Sequence, residues 1–160
     1  MKLTSLTCVA IAALSVGALH APVAWAHEES NATGVCQGNL PASETQLRKR
    51  PLALANEGTA SAFVSCSLPV NFTGPNFAFT VTLINRRSAT ATVNCTFVDG
   101  EIAEPGDAPS YRPKSITLDE GGGVLEWLAP DFGLSFFTSH ANLSCLLPPG
   151  VEIATVGSRN

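Results

Sequence analysis

Basic residues are scarce in this 160-residue chain: nine lysines and arginines stand against thirteen acids, for a formal net charge of −4. That balance argues against a nucleic-acid or anionic-membrane partner, since either demands a basic face. Histidine is scarcer still, with three in the chain, and no Gly-x-Ser-x-Gly elbow occurs to mark a serine hydrolase. Paired catalytic carboxylates are not evident either. Asp119-Glu120 precedes three glycines, and Glu101, Glu104 and Asp107 fall in a Pro-rich stretch, both ordinary settings for solvated acids. Neither run offers the ordered oxygen spacing of a calcium loop.

The one long apolar run is at the start. Lys2 supplies positive charge, Leu6 to Leu19 is uncharged and apolar, and Ala24-Trp25-Ala26 offers an A-x-A cleavage site, so residues 1–26 read as a signal peptide. The run is shorter than the roughly 20 residues of a spanning helix, and no basic stop-transfer cluster follows. No membrane span is expected after cleavage. The expected mature chain opens at His27, has 134 residues and carries a net charge near −5, enough for one domain. Residues 27–42 read as a flexible amino-terminal segment and 43–160 as the domain.

Four cysteines remain after the leader: Cys36, Cys66, Cys95 and Cys145. An even count in an exported chain, without a Cys-x-x-Cys pair, implies a disulfide framework and a periplasmic or secreted location. Spacing leaves three connectivities open; pairing neighbours along the chain favours Cys36 with Cys66 and Cys95 with Cys145.

The dominant periodicity is two. Phe77, Phe79, Val81 and Leu83 alternate with Ala78, Thr80 and Thr82, and Ala91, Val93, Cys95 and Phe97 alternate with Thr90, Thr92, Asn94 and Thr96. With Asn85-Arg86-Arg87-Ser88 between them, the two segments read as a β-hairpin, and Cys95 on the inward face suits a bridge between sheets. Leu52-Ala53-Leu54 and Val64-Cys66-Leu68, around Asn56-Glu57-Gly58, read as a second hairpin. Ser43-Glu44-Thr45-Gln46 matches a capping box, with Pro51 leaving room for one helical turn. Short strands follow at 114–118, 124–128, 134–138, 141–147 and 151–156, punctuated by Gly and Pro, while Glu101 to Pro113 reads as an acidic loop. About eight short strands with almost no helical period predict an all-β antiparallel sandwich, immunoglobulin-like or jelly-roll, with two disulfides. Trp127 lies outside the usual immunoglobulin Cys-Trp-Cys arrangement.

Ser65-Cys66-Ser67-Leu68-Pro69 echoes Ser144-Cys145-Leu146-Leu147-Pro148, each a strand with an inward Cys ended by Pro. The order Cys36-Gln37-Gly38-x-Leu40-Pro41-Ala42, Arg48-Lys49-Arg50-Pro51-Leu52-Ala53, Val93-Asn94-Cys95-Thr96 and Leu143-Ser144-Cys145 resembles a group of small exported bacterial proteins of uncharacterised function. That resemblance implies a signal peptide and a cysteine-stapled β-rich domain; it implies no activity or catalytic residue.

The expected function is therefore a non-catalytic binding or envelope-associated domain with a protein or glycan partner and no cofactor. The alternative is a secreted enzyme, hydrolytic or metal-dependent. Its sharpest form is a copper brace, in which His27 binds through its α-amine and ring and His140 supplies a second imidazole; a surface histidine at a strand end is the plainer reading of His140. Arg48-Lys49-Arg50 and Arg86-Arg87 could meet an anionic polymer such as a surface glycan, or serve as charges that guard strand edges and turns. Asn-x-Ser/Thr sequons at Asn31, Asn71, Asn94 and Asn142 fit chance occurrence in a Ser/Thr-rich chain.

Overall fold

The computed structural model describes residues 27–68, 78–100, 108–134 and 141–159. The leader, Asn71, Phe77, the acids 101, 104 and 107, the candidate strand at 134–138 beyond Leu134, and His140 lie outside the described residues. Eleven strands are described: β1 (His27–Asn31), β2 (Cys36–Gly38), β3 (Leu47–Arg50), β4 (Ala53–Asn56), β5 (Ala62–Ser67), β6 (Ala78–Asn85), β7 (Ala91–Asp99), β8 (Ser110–Leu118), β9 (Gly121–Leu128), β10 (Ala141–Leu147) and β11 (Val151–Arg159). Two four-residue helices, α1 (Ala32–Val35) and α2 (Pro41–Glu44), and a 3-10 turn at Ala129–Phe132 complete them.

Every strand pairing is antiparallel, and the strands form two sheets. One runs β3-β4-β11-β6-β9, with β1 also on β11; the other runs β2-β5-β10-β7-β8. A β-bulge in β11 between Ile153 and Thr155 divides that strand, so β4 pairs with Glu152 and Ile153 and β1 pairs with the stretch from Thr155 onward. Residues 27–42 thus contribute strands to both sheets, β1 to one and β2 to the other.

The order has a simple origin. Strand β4 pairs with β11, β5 with β10, β6 with β9 and β7 with β8. The chain is a two-stranded ribbon, β4 to β7 out and β8 to β11 back, wound so that successive pairs fall alternately in the two sheets. This winding is the jelly-roll arrangement, and it decides between the two topologies left open by the strand count.

It also overturns both expected hairpins. Strand β6 pairs with β9 and β11 in one sheet while β7 pairs with β8 and β10 in the other, and β4 and β5 are likewise in different sheets. Alternation reports which face of a strand is buried, not which strand lies beside it, and both members of each expected hairpin have an inward face. The turns between them are connections that cross the sandwich.

The core fills the space between the sheets. Phe79, Val81 and Leu83 of β6 and Leu125 and Trp127 of β9 face Val93, Cys95 and Phe97 of β7 and Leu143, Cys145 and Leu147 of β10, all buried. Phe97 joins the layers: its ring centroid is 4.5 Å from that of Phe79 and 6.1 Å from that of Trp127, within the range of favourable tilted aromatic pairs. Trp127 Nε1 donates to the Arg112 carbonyl at 2.8 Å, so its polar edge is satisfied at the open side between β8 and β9.

Both disulfides lie within one sheet. Cys36 of β2 stands opposite Cys66 of β5, and Cys95 of β7 opposite Cys145 of β10, each pair with Cα atoms 4.0 Å apart. The expectation of a bridge between sheets is corrected: the inward face is right, but the partner is the adjacent strand.

Two local expectations also change. Ser43 does not cap a helix; it is buried, and its Oγ accepts from the Phe63 N–H at 3.1 Å, while Gln46 Oε1 accepts from the Ala60 N–H at 3.0 Å. The capping-box residues instead tie α2 and the start of β3 to the loop and strand beyond. Of the expected acidic loop, residues 110–113 belong to β8, whose alternation there is hidden by Pro113 and by the inward-facing, half-buried Arg112.

Candidate functional site

The outward face of the five-stranded sheet is built from the outward half of each alternation, polar apart from Phe63, Leu146, Val98, Pro113 and Tyr111. Its register sets the side chains in rows that cross the strands. Phe63, Leu146, Asn94 and Ser115 form one row. Gln37, Ser65, Ser144, Thr96 and Pro113 form the next, and Ser67, Asn142, Val98 and Tyr111 the third. Thr92 and Thr117 extend the face at one end, their hydroxyls 3.0 Å apart. With strands about 4.8 Å apart and rows about 7 Å apart, the platform measures roughly 20 Å on each side.

None of these side chains is charged. Solvated sheet faces ordinarily carry Lys, Glu, Arg and Asp, and the opposite sheet does so with the exposed Arg48 and Arg50. Here the hydration is supplied by hydroxyl and amide groups. Two rings interrupt them: Tyr111 is 68% exposed and Phe63 is 43% exposed, at opposite sides of the face on β8 and β5. The arrangement can donate and accept hydrogen bonds in many directions and can stack apolar surface on a ring, without attracting or repelling charge.

The two basic runs form a second constellation. Arg48 and Arg50 on β3 and Arg86 after β6 are brought to the same end of the sandwich around Glu57 and Glu152. Glu152 is only 2% exposed; Arg86 grips it with Nε to Oε1 at 3.1 Å and Nη2 to Oε2 at 3.2 Å, and Arg50 Nη1 lies 3.4 Å away. Glu57 accepts from Arg50 Nη2 at 3.0 Å and from Arg48 Nε at 3.4 Å. The Arg50 hydrogen bond is the main reason the Glu57 carboxyl is held below its ordinary 4.5, against a smaller opposing effect of desolvation. The Arg86 guanidinium is held above its ordinary value by its hydrogen bonds to Glu152. Sequence reasoning treated the runs separately; their meeting depends on β4 and β6 both flanking β11.

The remaining candidates are dispersed. His27 opens β1 opposite Arg159, and His140 lies outside the described residues. Among the described residues no group of three His, Cys, Asp or Glu side chains could hold a metal, and the four cysteines are all in disulfides. Asp119 accepts from the Thr90 hydroxyl at 2.9 Å in an exposed turn. The sequon residues Asn94 and Asn142 lie exposed on the uncharged face, whereas Asn31 caps α1 by accepting from the Thr33 N–H at 3.0 Å.

No protein-family model matches the chain, and no curated protein matches it. Among solved structures, it is similar to a family 11 carbohydrate-binding module from Clostridium thermocellum in complex with a beta-1,3-1,4-mixed-linked tetrasaccharide, at 11% identity over 89% of each chain and a TM-score of 0.40. It is also similar to the CBM22-1-GH10 modules of a Clostridium thermocellum xylanase complexed with xylohexaose, at 11% identity and a TM-score of 0.43, over 85% of this chain and 26% of that one. A family 35 carbohydrate-binding module from Clostridium thermocellum is similar at 9% identity over 82% and 90% of the two chains, with a TM-score of 0.34.

Proposed function

We propose that this chain is an exported, non-catalytic binding domain whose uncharged sheet face takes a neutral glycan chain. The carrying observation is the composition of that face: hydroxyl and amide side chains in register across the strands, interspersed with Leu146, Val98 and Pro113, two exposed rings and no charge. A neutral polyhydroxylated chain matches each feature. Its hydroxyls exchange hydrogen bonds with Ser, Thr, Asn and Gln, its ring C–H faces stack on Tyr111 or Phe63, and it requires no counter-ion. An acidic or basic protein surface would find no complement there. Two disulfides within the sheet fit an oxidising compartment and a rigid platform. A rigid platform limits the ordering cost of binding.

Affinity electrophoresis of the protein through gels containing β-glucan, xylan or galactan tests this reading, with pull-down on cellulose for an insoluble chain. At least one neutral polysaccharide is expected to retard the protein, and Tyr111→Ala combined with Phe63→Ala to abolish that retardation without lowering the melting temperature. Free migration in every gel and no retention on cellulose would overturn it.

A further inference from the structure

A cleft of about 530 Å³ opens between the loop after β4 and the loop after β6, floored by Gly150 and Glu152. Its charge is unbalanced. Arg50, Arg86 and Arg87 line it with two carboxylates, Glu57 and Glu152, whose ion pairs engage Arg50 and Arg86 and, outside the cleft, Arg48. Arg87 is exposed and its guanidinium has no ion-pair partner among the described residues. It is nevertheless placed: its backbone N–H donates to Asn85 Oδ1 at 3.1 Å, and its methylenes lie across Gly150, where a Cβ would collide with them. Gly150 also has a φ of +80°, so the position is glycine for two reasons.

We propose that this cleft is an anion site, in which Arg87 holds a single oxyanion group, a carboxylate, sulfate or phosphate, at the mouth between Arg50 and Arg86. Guanidinium forks match such groups through paired N–H donors. Glu152 acts as the counter-charge that holds Arg86 and Arg50 in place. Because that carboxylate is buried beneath them, an incoming anion meets the arginines before it meets Glu152. With Arg50, Arg86 and Arg87 against Glu57 and Glu152, the cleft carries an excess of one positive charge in a chain whose net charge is −4, so the site takes one oxyanion group at a time.

The site is independent of the neutral-glycan reading, and its test separates the two. The isotope-labelled protein is titrated at low salt with inorganic phosphate and, separately, with an oligouronate, while the amide signals of Arg87 and Gly150 and the arginine side-chain signals are followed by NMR. Saturable shifts are expected with at least one probe. Saturation with phosphate alone assigns a free anion, and saturation with the oligouronate assigns a carboxylate carried on a chain. Arg87→Gln is expected to weaken binding at least tenfold and Lys49→Gln, outside the cleft, less than twofold, with neutral-polysaccharide retention unchanged in both. No saturable shift with either probe, or equal binding by wild type and Arg87→Gln, would overturn the proposal.

Discussion

Asn56 and Asn85 hold equivalent positions, one at the end of β4 and the other at the end of β6. In each, Oδ1 accepts from the N–H two residues on, Gly58 or Arg87, and Nδ2 donates to the carbonyl four residues on, Ala60 or Ala89. Each Nδ2 also reaches the strand that returns alongside, at the Leu147 carbonyl for Asn56 and the Leu118 carbonyl for Asn85. The ribbon explains the repetition. Where two antiparallel chain segments cross together from one sheet to the other, one buried amide closes the outgoing turn and ties it to the incoming strand. A side chain that combines an acceptor with two donors at this length is Asn.

Replacing either residue by Ala leaves buried backbone groups without partners, each costing about 1–3 kcal/mol. Asn56→Ala and Asn85→Ala are therefore expected to destabilise by about 3 kcal/mol each, measured by urea unfolding, and the double variant by nearly the sum, because the two amides serve separate crossings. Asn85→Asp should be worse than Asn85→Ala, since it sets a carboxylate oxygen against two carbonyls. A loss below about 0.5 kcal/mol in both single variants would show that the crossings are held by packing alone.

The two disulfides close segments of 30 and 50 residues. Loop-closure entropy alone assigns about 3.6 kcal/mol to the first and about 4.1 kcal/mol to the second. Cys95→Ala/Cys145→Ala is thus expected to cost slightly more than Cys36→Ala/Cys66→Ala in equilibrium unfolding, and reduction of both bonds to lower the melting temperature markedly. An unchanged melt in reductant would contradict the stabilising role of the framework.

Legibility from the sequence divided along a physical line. The inward residues of β7, Val93, Cys95 and Phe97, were readable because the two faces of one strand differ in solvent, and their burial follows the alternation. The partner of β7 was not readable, since alternation is the same whether a strand pairs with its sequence neighbour or with a distant return strand. The jelly-roll winding that chose the distant strand depends on turns such as Asn85-Arg86-Arg87, whose crossing geometry requires the Leu118 carbonyl from another part of the chain. The candidate face suffered the same limit. Thr92, Asn94 and Thr96 were visible as a polar edge of one strand, but their alignment with Ser144 and Ser65 required the register. Likewise Arg50 and Arg86 were visible as basic runs, and the buried Glu152 that joins them was not.

Glu57 makes stability depend on pH in one direction. Its folded-state pKa lies below the ordinary 4.5, chiefly because Arg50 bonds the carboxylate, so the folded protein favours the charged form. The stabilisation is complete above the unfolded value and is lost as pH falls through the folded one. Thermal melts are expected to decline below about pH 4.5, and Glu57→Gln to lower the melt at pH 7 slightly and to flatten the acid decline by the same amount, both small because the pair is exposed and solvent-screened. An acid limb identical in the variant would remove Glu57 from the account.

The uncharged face makes the most demanding prediction, because it is about what a charge would do there. Thr96 sits in the middle row between Ser144 and Pro113, its half-buried side chain on the outward face, away from the core between the sheets. Thr96→Lys should fold with a melting temperature lowered only modestly, since the outward position removes no core packing and strand preferences on a sheet face span about 1 kcal/mol. Its effect on binding should be large. The ammonium would either stay hydrated above the platform and hold the glycan off it, or be stripped of water beneath a neutral chain that offers no counter-charge. Both routes weaken retention, whereas an anionic glycan would be retained more strongly by the added cation. Comparing wild type, Thr96→Lys and Thr96→Ser in the same polysaccharide gel reads the difference: loss in the first variant and preservation in the second place a neutral ligand on this face, and undiminished retention of Thr96→Lys moves the binding surface elsewhere.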